Sequence, residues 1–155
     1  MAKITVGRKV PQFSAAITGA GSFSLADAAG QKLVLYFYPK DMTTGCTKES
    51  QDFRDHYAAF RKAKVRILGI SRDSLKSHDK FREKEQLPFD LLSDEDEKVC
   101  KLFDVIKEKS LYGRKYLGIE RSTFLIDADG VLRREWRGVK VPGHVEEVLE
   151  AAKSL

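Results

Sequence analysis

At 155 residues the chain is long enough for one globular domain with a buried core. Hydrophobic residues at 42% and charged residues at 33% exclude both a disordered chain and one made mostly of membrane spans. The formal net charge of +5 is small, and its basic residues alternate with acids, as from Lys76 to Glu85; this reads as a solvated helix face and argues against nucleic acid as a partner.

The first residues, Met1 to Arg8, lack the apolar stretch of a secretory leader, and no later run is apolar enough to span a bilayer, so a cytoplasmic location is expected. Lys32 to Tyr38 is nearly continuous in apolar residues, the pattern of a strand buried on both faces. Pro39 ends it. After a loop to Gly45, the spacing of Phe53, Tyr57 and Phe60 predicts a helix over about Cys46 to Ala63. Val65 to Ile70 is a second buried strand, which completes a βαβ unit. A short helix over Lys76 to Glu85 stops before Pro88, Phe89 to Leu92 is a short strand, and Ser93 to Asp96 caps a helix running to about Phe103.

The segment Lys107 to Tyr116 is basic with interspersed aromatic residues and reads as a solvated loop, placed to rim an entrance or touch a partner. Ser122 to Asp127 and Val131 to Trp136 flank Asp129-Gly130 and predict a hairpin; His144 to Lys153 predicts a last helix with Val145, Val148 and Leu149 on one face. The order βαβ, hairpin, helix predicts an α/β, thioredoxin-like fold: a central mixed sheet flanked by helices, in a single domain. The histidines His56, His78 and His144 carry no motif and read as surface residues.

Chemistry concentrates at Cys46. It stands where a buried strand hands over to a helix, facing free backbone N–H groups and the positive end of the helix dipole, which favour a thiolate. Reducing a peroxide also requires donors aimed at the breaking O–O bond. Thr43, one turn earlier, offers a hydroxyl that can donate or accept. Glu49, one turn later, would oppose a thiolate unless a cation stood between them, and Arg121 before the hairpin strand is the candidate, pairing with Glu49 and reaching the sulfur.

The stretch Pro39-Lys40-Asp41-Met42-Thr43-Thr44-Gly45-Cys46 resembles the peroxiredoxin signature of proline, three residues, threonine, two residues, cysteine. With Tyr36 to Asp41, Cys46 to Glu49 and Gly118 to Asp127, the chain is similar to the bacterioferritin-comigratory-protein, or peroxiredoxin Q, subfamily from Gly7 to the last helix. The resemblance implies that Cys46 is the peroxidatic cysteine, that Thr43 and Arg121 activate peroxide and sulfur, that Pro39 shields the site with Gly45 and Glu49 in support, and that the protein is a monomer. Thr44 departs from the proline usual in that subfamily.

The implied function is thiol-dependent reduction of hydrogen peroxide and organic hydroperoxides through a Cys46 sulfenic acid. Many such proteins carry a resolving cysteine five residues after the first, but that position is Gln51, and Ser74 to Gln86 contains no cysteine. Cys100, beside the apolar face of Val99, Leu102 and Phe103, is the one internal candidate and otherwise reads as half-buried filler. The expected cycle therefore uses one cysteine and an external thiol such as thioredoxin, glutaredoxin or glutathione, with a Cys46–Cys100 disulfide as the alternative. No metal or organic cofactor is expected from two isolated cysteines. Two rivals remain: a thioredoxin-like disulfide reductase, which lacks its Cys-x-x-Cys pair here, and a redox sensor or binding protein switched by Cys46 oxidation.

Overall fold

A seven-stranded sheet organises the protein, described here from a computed structural model over residues 4–155; the first three residues of the N-terminal segment considered above lie outside that range. At its centre β3 (Lys32–Phe37) and β4 (Val65–Ser71) run parallel, and β5 (Asp90–Ser93) continues the parallel set beside β4. On the other side β8 (Ser122–Ile126) pairs antiparallel with β3, and β9 (Leu132–Arg137) with β8. The far edge is β1 (Ser14–Ile17) and β2 (Gly21–Ser24), so the sheet order is β2-β1-β5-β4-β3-β8-β9. The mixed sheet and its flanking helices form the expected thioredoxin-like fold.

Side chains of β3 alternate strictly between two cores. Leu33, Leu35 and Phe37 enter one, together with Val99, Cys100 and Phe103 of the α4 segment (α4, Lys98–Leu102), Phe23 of β2, and Val10 and Phe13 from the stretch before β1. Val34, Tyr36 and Tyr38 enter the other, under α1 (Thr44–Asp55), α2 (Tyr57–Lys62), α3 (Leu75–Glu85) and α5 (His144–Lys153). Close approach across β3 and β4 needs Gly69: a β-carbon there would lie 2.7 Å from both Tyr36 and Leu91.

Four expectations change. The helix predicted over Cys46 to Ala63 is two helices broken at His56, whose ring Nδ1 lies 2.8 Å from the Asp52 carbonyl and competes for it, while Phe53 and Phe60 on either side both stay fully buried. The strands β1 and β2, four residues each, were too short to register as periodic patterns. The segment read as a solvated loop is a two-stranded antiparallel ribbon, β6 (Ile106–Leu111) and β7 (Arg114–Ile119), closed by Tyr112 and Gly113, both with positive φ; that pair is a two-residue hairpin turn whose signal lay in Gly113. Two histidines read as surface residues are buried, each with internal hydrogen bonding: His78 is fully enclosed with both ring nitrogens bonded, and His144 bonds Thr123 through Nε2 at 2.8 Å.

Among the described residues no helix is long and apolar enough to cross a membrane.

Candidate active site

The parallel strands β3, β4 and β5 all end at one edge of the sheet, and the loop leaving β3 there leads into α1. Thr43 caps that helix with extended backbone angles. The first helical bond runs from the Thr47 N–H to the Thr43 carbonyl at 2.9 Å, so the N–H groups of Thr44, Gly45 and Cys46 precede the helical ladder and point out of its positive end. Cys46 sits in this first turn and is 1% exposed.

Arg121, in the link from β7 to β8, reaches across with its planar fork. Its Nη2 donates to Cys46 Sγ at 3.3 Å and its Nη1 to Glu49 Oε1 at 2.7 Å. Cys46 and Glu49, one turn apart on α1, thus share a single guanidinium. Gly45 makes room for it, since a β-carbon there would stand 3.1 Å from Nη2. Burial pulls against the charge of Arg121, but Glu49 and Cys46 more than offset it and hold the guanidinium above its ordinary pKa.

Glu49 is wholly enclosed, and its Oε2 has no hydrogen-bond partner among the described residues. Burial drives its pKa up to about 7, with Arg121 opposing that rise. A carboxyl group so placed is close to half protonated at neutral pH, and a proton on Oε2 relieves the cost of an unpaired buried anion.

Thr43 is exposed, and its hydroxyl donates to the Lys40 carbonyl at 2.8 Å. With its hydrogen engaged, the oxygen is left as an acceptor at the helix mouth. Pro39, half-buried, turns the chain from β3 into the loop.

What holds that loop leaves no mark in the sequence pattern. Asp41 is buried and accepts from Tyr38 at 2.6 Å through Oδ1, and through Oδ2 from Ser77 and the ring Nδ1 of His78, both at 2.8 Å. Burial keeps the Tyr38 phenol far above its ordinary pKa, so it remains a donor. The other nitrogen of His78 faces the Leu92 carbonyl at 3.0 Å. The Asp41 N–H donates to Asp73, which also accepts from Ser71. Asp41, Asp73 and His78 bring their ligand atoms within 4.8 Å of one another. Those atoms are already engaged in hydrogen bonds, and the group serves as a clamp between the β3–α1 loop and α3. No spacing rule finds it, because the partners of Asp41 on α3 lie 36 and 37 residues along the chain.

Cys100 is not brought to the site. It is fully enclosed, correcting the half-buried expectation, and belongs to the core on the opposite face of the sheet from Cys46. Its own N–H and that of Val99 donate to Asp94. Burial, then the charge of Asp94, push its thiol far above the usual range.

Comparison with known proteins fits this arrangement. The AhpC/TSA family pattern matches residues 6–135. A Bacillus subtilis protein named peroxiredoxin Bcp is 48% identical over 152 residues, covering 98% of this chain and 97% of that one. Among solved structures, a Xanthomonas campestris bacterioferritin comigratory protein, studied for alkyl peroxide reduction through trapped intermediate and ligand complexes, has 50% identity and a TM-score of 0.88, with coverage of 92% and 90%. A cysteine-to-serine variant of Xylella fastidiosa PrxQ has 43% identity and a TM-score of 0.93, with coverage of 99% and 98%.

Proposed function

The chain belongs to the AhpC/TSA family and is a peroxiredoxin, a thiol-dependent peroxidase, and from that premise we propose that Cys46 is its nucleophile, activated by Arg121 and Thr43 and recycled by an external thiol. The observation that carries this assignment is the Arg121 fork, which aims one donor at the sulfur while the other is held by Glu49.

The Cys46 thiolate attacks one oxygen of a hydroperoxide. An S–O bond forms as the O–O bond breaks, the sulfur loses two electrons to the peroxide, and the leaving oxygen takes a proton to depart as water or an alcohol. Arg121 and the N–H groups of Thr44, Gly45 and Cys46 are placed to stabilise the charge that develops on the oxygens. Thr43, with its hydrogen committed to Lys40, accepts the peroxide O–H and so orients the substrate. Pro39 shields the sulfur from the loop side. The substrates fitted by this chemistry are hydrogen peroxide and small organic hydroperoxides.

The product is a sulfenic acid on a nearly enclosed sulfur. An external thiol attacks it, releasing water and leaving a mixed disulfide that a second thiol reduces. Thioredoxin, glutaredoxin or glutathione, the thiols of a reducing cytoplasm, fit this role. The sheet between Cys46 and Cys100 supports the one-cysteine cycle. The test is peroxide consumption in the presence of dithiothreitol: Cys46→Ser should abolish turnover, and stoichiometric oxidation of the wild type without turnover would instead mark a sensor.

A further inference from the structure

The β6–β7 ribbon pairs with no other strand among the described residues. Its register divides the side chains cleanly between two faces. Glu108 opposite Leu117 and Ser110 opposite Lys115 share a face with Ile106 and Ile119, which belong to the core. On that face the one acid, Glu108, has a cationic neighbour in Lys115 at 3.7 Å.

The other face carries Lys109 opposite Tyr116, Leu111 opposite Arg114, and Lys107 opposite Gly118. It has three cations and no carboxylate of its own; Lys107 has Asp104 below the ribbon at 3.2 Å, and Lys109 feels the charge of Glu120 near the ribbon's base. Between the cations, Leu111 is 56% and Tyr116 47% exposed. Gly118 keeps the face tight, since a β-carbon there would stand 3.2 Å from both the Lys109 stem and the Tyr116 ring.

This face rises from the active-site edge. The Lys109 ammonium donates to the Ile119 carbonyl at 2.5 Å, two residues before Arg121. Burial and then Arg121 lower the pKa of Lys109 while Cys46 works to raise it, so the base of the ribbon lies within electrostatic reach of the sulfur.

We propose that the ribbon face formed by Lys107, Lys109, Leu111, Arg114 and Tyr116 is the docking surface for an acidic dithiol protein that reduces oxidised Cys46. The proposal rests on the external-thiol reading given above. An exposed apolar centre flanked by three cations, on a face with no carboxylate of its own, complements a partner with a small apolar contact inside an acidic rim. A second copy of this chain does not fit, because it would bring the same cations together on a protein of net charge +5. One thiol of the docked partner attacks the Cys46 sulfenic sulfur, and the departing hydroxide takes a proton to become water. The partner's second thiol then attacks its own sulfur in the mixed disulfide, releasing Cys46 as thiolate and leaving the partner oxidised.

The test compares two reductants at fixed peroxide: an acidic thioredoxin recycled by its reductase and NADPH, and dithiothreitol. In the double variant Arg114→Glu/Tyr116→Ala, kcat/KM for thioredoxin should fall about tenfold or more while the dithiothreitol rate stays within about twofold, which also shows that the variant folds. Lys115→Glu, on the opposite face, should leave both rates within about twofold of wild type, and added NaCl should slow the wild type with thioredoxin only. An unchanged thioredoxin rate in the double variant, or an equal fall with both reductants, overturns the docking surface. Wild-type dimerisation, or binding of a single-stranded oligonucleotide, that the double variant abolishes would reassign the face and also overturn it. No wild-type turnover with dithiothreitol would mean that the external-thiol reading itself has failed.

Discussion

Cys46 and Cys100 lie in separate cores on opposite faces of one sheet, with β3 between them. A disulfide needs Cα atoms within about 7 Å, which this arrangement allows only after much of the sheet or α4 has come apart. Cys100→Ala should therefore leave peroxide turnover with dithiothreitol unchanged and cost about 1–2 kcal/mol of stability from the cavity it leaves. Non-reducing mass spectrometry of peroxide-treated wild type should show no internal disulfide; a stoichiometric Cys46–Cys100 bond would defeat the one-cysteine cycle.

Arg121→Lys keeps the charge but loses the planar fork that serves Cys46 and Glu49 together. The rate constant for Cys46 oxidation should fall about a hundredfold, the scale of losing one aimed donor. Stopped-flow fluorescence of the single Trp136 can follow it; a change under threefold would remove Arg121 from the transition state.

Thr43→Val deletes the acceptor at the helix mouth and should slow peroxide reduction by about a hundredfold, whereas Thr43→Ser should retain most activity. Because Thr43 is exposed and its hydroxyl, among the described residues, bonds the Lys40 carbonyl alone, stability should barely move in either variant. Equal activities of the two variants would argue against the hydroxyl's role.

Glu49 gives a signed pH prediction. Its pKa rises on folding from 4.5 to about 7, so between those values the folded state binds the extra proton and stability falls as pH climbs. A shift of that size corresponds to about 3 kcal/mol across the window. His144 acts in the opposite direction: burial lowers its pKa from 6.5 to about 4, so its contribution is lost as pH falls through that range. Glu49→Gln removes the first effect and leaves the second. Urea denaturation should show the stability of the variant relative to wild type improving by about 3 kcal/mol from pH 4.5 to 7, and a pH-independent difference would refute the buried carboxyl assignment.

Asp41→Asn weakens the clamp between the active-site loop and α3 by removing the charge that Tyr38, Ser77 and His78 share. The expected cost is about 2–4 kcal/mol. Since the same loop carries Thr43, Cys46 alkylation by iodoacetamide should become faster as the loop opens more often. Unaltered alkylation together with wild-type stability would show that the clamp does not restrain the loop.

Much of this protein was legible in one dimension. The buried strands β3 and β4, the helix over His144 to Lys153 and the placement of Cys46 at a strand-to-helix junction all follow from runs and periodicities that a local window contains. Thr43, Cys46 and Glu49 fall on one side of α1 because helical spacing alone puts them there. The ribbon does not show in the pattern because its strands are largely exposed, so burial imprints no apolar alternation on them.

The tertiary structure decided the rest. Arg121 is 75 residues from Cys46, and only the pairing of β8 with β3 carries it to the thiol. His78 looked like one more polar residue on a charged helix, yet the loop folded back from β3 supplies Asp41 and makes its burial affordable. Which core receives Cys100 depends on the face against which α4 packs, and the sequence around α4 is apolar enough for either. Local pattern determines element type and the side a residue takes within its element; which elements meet, and on which face of a sheet, is set by pairings between distant segments that a local window does not contain.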